Sequence, residues 1–166
     1  MIQEIILTRE ECKSIIDLCD ISQFERSMVS YENDTIEVND CRTSYEYNLK
    51  TNEYITNLIL PKINKFQIKN LPEYLKIIKY EKGQEFKYHW DNDAEYDYRV
   101  KSVSIQLSDN YEGGELNIWG NAGDVLFDKT IGNFIIFDSN LPHQVFPIKS
   151  GIRYALVFWL KKEDFV

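Results

Sequence analysis

The spacing of apolar residues changes character near Leu71-Pro72. Upstream, apolar positions recur at helical spacing or not at all. After a short strand-like stretch at residues 2–7, Thr8 and Glu11 stand three apart. That is the pattern of a capping box, in which each side chain accepts the other's backbone N–H. Ile15, Ile16, Leu18 and Cys19 then give a first helix its apolar stripe. Thr51 is placed to cap a second helix carrying Ile55, Leu58 and Ile59, which Pro61 should end or kink. Residues 22–49 between the helices are polar and tyrosine-rich, and read as extended segments joined by loops.

Downstream, short β-like runs follow one another at 75–80, 85–90, 100–107, 115–119, 124–127, 133–137, 143–146 and 153–160. Gly83, Gly113-Gly114, Gly123, Gly132, Pro142, Pro147 and Gly151 separate them. Phe134-Ile135-Ile136-Phe137 has no polar alternate and should be buried on both faces. The expected architecture is mainly β with flanking helices (α+β): N-terminal helices supporting a jelly roll. With no repeat or flexible linker, the 166 residues read as one domain. Residues 1–70 would supply helical support and the loops that bear on a substrate, and residues 71–160 the β core.

Composition changes this picture little: 43% hydrophobic and 28% charged residues are ordinary for a globular chain. The net charge of -8 repels phosphate backbones and anionic lipid at long range, so neither nucleic acid nor membrane is an expected partner. No apolar run approaches the ~20 residues that span a bilayer. Cys12, Cys19 and Cys41 have no metal-ligand spacing. Their odd count, with an acid rather than bases in Met1-Ile2-Gln3-Glu4, points to a reducing, cytoplasmic setting. Nothing in the pattern sets an oligomeric state.

The chain has only two histidines, and both stand in suggestive places. On a strand, His89 and Asp91 project to one side and Trp90 to the other, so one strand can offer an imidazole and a carboxylate to a single ion. Alone, such a pair is more often a surface feature. His143 lies beyond an apolar strand and a turn, and a closed β architecture can return it to the same mouth. Two imidazoles and one carboxylate make the facial triad of non-haem Fe(II) oxygenases; catalytic zinc uses similar ligands but prefers four-coordinate geometry. Arg153 stands in an apolar run, Tyr154-Ala155-Leu156-Val157-Phe158-Trp159, where a guanidinium calls for an anionic partner, protein carboxylate or ligand.

These residues sit in a longer pattern. Tyr80-Glu81-Lys82-Gly83-Gln84-Glu85-Phe86-Lys87-Tyr88-His89-Trp90-Asp91 resembles the YxxGxxFxxHxD motif of prolyl 4-hydroxylase-like, 2-oxoglutarate-dependent Fe(II) dioxygenases. Ser102 to Ser108 and Tyr111-Glu112-Gly113-Gly114-Glu115-Leu116 are similar to their next strand and its YxGGEL turn. Phe137, Ser139, His143, Val145, Pro147, Gly151, Arg153, Tyr154 and Trp159 follow their closing pattern.

The resemblance implies a double-stranded β-helix holding Fe(II) through His89, Asp91 and His143. It further implies Arg153 on the distal carboxylate of 2-oxoglutarate, with Tyr80 beside that co-substrate. Arg99 and Trp159 fall at positions that contact the peptide in hypoxia-type relatives, although residues 92–98 depart from theirs. The implied reaction consumes O₂ and 2-oxoglutarate, releases succinate and hydroxylates a C–H bond, with ascorbate as an additional reductant. The implied substrate is a proline-containing peptide or protein. A free amino acid or other small molecule, a non-catalytic jelly-roll binding module and a hydrolytic zinc enzyme are the alternatives. Tyr31, Tyr45, Tyr47, Tyr96 and Tyr98 are candidates to line the mouth and stack on an extended peptide.

Overall fold

The computed structural model describes residues 1–31, 34–36, 41–92, 96–120 and 123–166, without the side chains of 30–31 and 34–36. The chain begins with β1 (Ile2–Ile5), α1 (Arg9–Asp17), β2 (Glu25–Arg26), β3 (Val29–Tyr31), β4 (Asp34–Ile36), β5 (Tyr45–Lys50) and α2 (Glu53–Ile63). The strands β6 (Tyr74–Tyr80), β7 (Phe86–His89), β8 (Lys101–Gln106), β9 (Tyr111–Gly113) and β10 (Leu116–Gly120) follow. The remainder are β11 (Gly123–Leu126), β12 (Asn133–Asp138), β13 (His143–Val145), β14 (Ile148–Gly151) and β15 (Arg153–Leu160).

A seven-stranded sheet, in the order β1-β12-β8-β15-β6-β5-β2, faces a four-stranded sheet ordered β11-β10-β13-β7. This is the expected double-stranded β-helix. The helices pack on the outer face of the larger sheet. Its inner strands β12, β8, β15 and β6 are largely buried on both faces, and alternation sorts their side chains into two sets. Leu75, Ile77, Val103, Ile105, Phe134, Ile136, Leu156 and Phe158 meet Ile15, Ile55, Ile59 and Ile63 of the helices. The alternate positions turn inward, where Ile78, Tyr80, Ile135 and Phe137 pack with Leu116, Ile118 and Val145 of the smaller sheet. The continuous apolar run at 134–137 is thus two interleaved half-faces, each residue at most 6% exposed.

The capping box forms as expected: Thr8 Oγ1 accepts from the Glu11 N–H at 3.2 Å, and Glu11 Oε2 accepts from the Thr8 N–H at 2.8 Å. The same carboxylate takes Lys62 Nζ at 2.7 Å, tying α1 to α2. The expected cap of α2 is corrected. Its cap is Asn52, whose Oδ1 accepts from the Ile55 N–H at 3.0 Å, while the Thr51 hydroxyl donates to the Pro72 carbonyl at 2.6 Å. Pro61 does not end the helix, which runs to Ile63. A proline in the last turn forfeits one intrahelical bond, a loss that burial of Ile59 and Ile63 outweighs.

Strands β9 and β14 were not among the expected runs. They form a small ladder of their own, with Gly151 opposite Tyr111. Gly132, at φ +79°, lets the turn before β12 press on the end of β1: its carbonyl accepts from Ile6 and Leu7, and a Cβ there would lie 1.8 Å from the Leu7 carbonyl oxygen.

Candidate active site

Between the sheets lies a cavity of about 350 Å³, within the size range of small-molecule sites. Strand pairing brings its chemistry together. In the β13–β7 ladder His143 sits directly opposite His89, and their ring centroids are 4.1 Å apart. Asp91 follows His89 by two residues and projects to the same side. Its Oδ1 lies 3.7 Å from His89 Nε2, and its Oδ2 lies 3.4 Å from His143 Nε2. One donor atom from each of the three residues falls within 4.8 Å of the others, a spacing that a single ion can bridge.

Neighbours fix the donors' orientation. His89 Nδ1 meets the Lys87 carbonyl at 2.8 Å, and His143 Nδ1 meets the Leu141 carbonyl at 3.0 Å. Carbonyls only accept, so each Nδ1 carries the proton and each Nε2 faces Asp91. Ser102 donates to Asp91 Oδ2 at 2.6 Å and is 3.0 Å from Ser139 Oγ, while the Ser139 carbonyl accepts the Asp91 and Asn92 N–H groups. Phe86 stacks on the His89 ring and Phe137 meets the His143 ring edge-on.

The two imidazoles titrate in opposite directions. Burial, reinforced by the neighbouring His143, lowers His89 to about 3, so it is neutral near pH 7. Burial also works against charge on His143 and Asp91, but their mutual attraction prevails: His143 is raised above the usual imidazole value, and Asp91 is held well below the usual carboxylate range. A metal must therefore displace the proton of His143 and not one from His89. Apparent Co(II) affinity should rise by about one decade per pH unit up to the raised His143 value, then level off. Titration calorimetry from pH 5.5 to 8.5 measures this, and a pH-independent affinity would contradict it.

Arg153 lies deeper, opposite Tyr80 in the β15–β6 ladder and 2% exposed. Its guanidinium carbon is 5.4 Å from the Tyr80 ring centroid, and the Tyr111 hydroxyl, which accepts from Gln106 Nε2 at 2.9 Å, stands beside it. Among the described residues no carboxylate pairs with Arg153, and its Nε is buried without a hydrogen-bond partner. A buried cation lacking a counter-charge is costly unless a ligand supplies one. The protein carboxylate that the sequence left open as its partner is not among the described residues, and a carboxylate ligand fits.

Arg99 and Trp159 meet at the other end of the cavity. The guanidinium carbon lies 4.1 Å from the Trp159 ring and 3.9 Å from the Tyr96 ring, and Nη1 reaches the Asp91 carbonyl at 3.3 Å. The Trp159 Nε1 is buried without a hydrogen-bond partner. Of the five tyrosines suggested for the mouth, Tyr96 lines the cavity. Tyr45 and Tyr47 belong to β5, where Tyr45 faces Arg26 and Lys79 and Tyr47 packs on Phe24. Tyr98, nearly half exposed, pairs with Lys161; the side chain of Tyr31 lies outside the described residues, as do 93–95.

Several cavity residues escaped the sequence reading. Ser102 and Ser104, with the buried Gln106 next on the same face of β8, alternate with core residues, a polar period of two inside an apolar run that would have marked them. Arg42 and Glu46 carried no comparable signal. They face the cavity as an ion pair at 3.1 Å that also engages Lys76.

Known proteins resemble this chain in sequence and in fold. PKHD-type hydroxylases of Xanthomonas campestris pv. campestris (34% identical over 94 residues, covering 50% of this chain and 41% of the relative) and Shewanella baltica (34% over 90 residues, 50% and 40%) are similar. The chain thus spans about two fifths of the length of these curated relatives. Two solved structures share the fold with a TM-score of 0.74: a prolyl-4-hydroxylase of Pseudomonas putida (16% identical, 96% of this chain and 91% of that one) and a Trichoplax adhaerens prolyl hydroxylase in complex with a hypoxia inducible factor peptide (20%, 91% and 76%). A family model described as the 2OG-Fe(II) oxygenase superfamily matches residues 75–161, just over half the chain, and to that superfamily this chain belongs.

Proposed function

We propose that this chain is an Fe(II)- and 2-oxoglutarate-dependent hydroxylase acting on a prolyl residue of a peptide or protein. The observation that carries this reading is the Arg153 guanidinium, which has no carboxylate partner among the described residues and is buried in the same cavity as the His89, Asp91 and His143 donors. A metal-binding module or a zinc hydrolase has no use for that cation, whereas a dicarboxylate that must also reach a metal uses both. Bound Fe(II) and 2-oxoglutarate would together supply oxidative decarboxylation and an O₂-derived oxidant strong enough for an unactivated C–H bond.

The protein's own part is orientation and shielding. His89 and His143 would each offer Nε2 because backbone carbonyls hold their Nδ1 protons, and Asp91 would offer the carboxylate that Ser102 steadies. Arg153 would pair with the distal carboxylate, beside Tyr80. Ile78, Leu116, Phe137 and Val145 wall the space between with apolar surface, which keeps bulk water from the reacting groups. Arg99 and Trp159 would meet the substrate at the open end. The hydroxylase reading draws on the PKHD-type relatives, and the prolyl specificity on the solved prolyl hydroxylases, one of them holding a peptide.

The test is succinate release by the Fe(II)-loaded chain with proline-containing peptides, free amino acids and nucleosides, with mass detection of a +16 product. Hydroxylation of a peptidyl proline is the expected result. Product only from a free amino acid would replace the substrate assignment, and inertness toward 2-oxoglutarate in anaerobic Fe(II) titrations would end the proposal.

A further inference from the structure

The rings of Tyr88, Trp90 and Trp119 form a row on the outside of the smaller sheet. Tyr88 meets Trp90 at 5.2 Å and 90°, and meets Trp119 at 5.0 Å and 60°. Alternation explains the row: His89 and Asp91 turn into the cavity, so Tyr88 and Trp90 turn out. Trp119 comes from β10, two strands away across β13. Tyr88 and Trp90 are 47% and 52% exposed, unusual for such large rings. The row is also continuous with the cavity, since Trp90 lines its mouth while touching Tyr88.

We propose that this row is a docking platform for the part of the substrate that flanks the reacting residue, and that it selects a proline-rich segment in the polyproline II conformation. The inference rests on the hydroxylase reading for its substrate, but the surface makes its own case. The exposed rings of Tyr88 and Trp90 offer apolar faces and edges on which the flat, CH-rich face of a prolyl ring can pack. Aromatic surfaces of this kind recognise polyproline II segments, whose preformed backbone loses little entropy on binding. From the Trp90 ring to the Trp119 ring the row is at most about 10 Å long, close to the ~9 Å of one polyproline II turn, so residues three apart could pack on its two ends. The residue leaving the Trp90 end would then enter the cavity beside Trp159 and Arg99.

All three tryptophans of the chain lie along this path, which makes fluorescence a direct reporter. The probe is a proline decamer, with a glycine–serine decamer of equal length as control, titrated into the full chain. Preferential binding of the proline decamer is expected. Tyr88→Ala and Trp119→Ala should each weaken it about tenfold and Tyr88→Phe should not. Co(II) and 2-oxoglutarate affinities and the circular dichroism should stay unchanged, which shows that the variants are folded and the cavity intact. Because no turnover is scored, failure of the hydroxylase reading leaves this result standing. Equal binding of the two decamers, or proline binding indifferent to both alanine substitutions, would overturn the platform. So would a concentration-dependent dimer that Tyr88→Ala dissolves, which would assign the patch to self-association.

Discussion

Replacing His143 or Asp91 with alanine is expected to lower 2-oxoglutarate-dependent succinate formation at least ~1000-fold while leaving far-UV circular dichroism intact. Both side chains contribute donor atoms to the cavity and neither is part of either hydrophobic cluster, so the loss falls on the centre and not on the core. Asp91→Ala removes the only carboxylate of the triad and the acceptor of the Ser102 hydroxyl. With two neutral donors left, a divalent ion loses the charge compensation that holds it. Co(II) titration of the variant should show the loss directly. Turnover in either variant within tenfold of the parent would remove these residues from the metal's coordination.

Arg153→Met should act on the co-substrate and leave the metal alone. Deleting a charge-assisted pair in a buried site costs about 2.7 kcal/mol, so the apparent KM for 2-oxoglutarate should rise about 100-fold with a smaller change in kcat. The ligand-free protein should respond in the opposite sense. Arg153 is buried with no carboxylate partner among the described residues, and an apolar side chain of similar length relieves that cost. Its Tm without ligand should therefore hold or rise, while the stabilisation of ~2.7 kcal/mol that 2-oxoglutarate at 100 times its Kd gives the parent should fall to about 0.4 kcal/mol at the same concentration. A destabilised ligand-free variant with unchanged KM would mean that Arg153 serves packing.

The fold and the centre of the site were legible in the sequence for different reasons. Short β-like runs between glycine and proline breakers marked eight of the strands, and the capping box marked α1, because these are short-range rules the chain obeys locally. His89 and Asp91 share a face by strand alternation. His143 opposite His89 required tertiary pairing, which the motif spacing supplied. What stayed hidden depends on partners distant in sequence. Tyr45 and Tyr47 look like loop aromatics, yet β5 is fixed by pairing with β6, with Tyr47 opposite Ile77. Arg42 and Glu46 read as surface charges until β5 turns Glu46 toward Arg42 and Lys76. Asn52 outcompetes Thr51 as the α2 cap because Pro72 offers the threonine hydroxyl another acceptor.

The two-sidedness of the large sheet has an evolutionary consequence. Ser102, Ser104 and Arg153 border the cavity, while Ile105 of β8 and Leu156 of β15 meet the helical layer. Drift at every second position can therefore retune which small molecule is consumed without touching the scaffold's thermal tolerance. An insertion of one residue in β8 would exchange the two duties at a stroke, so such a lineage should diversify by substitution within these strands and by length change only in the connections between them.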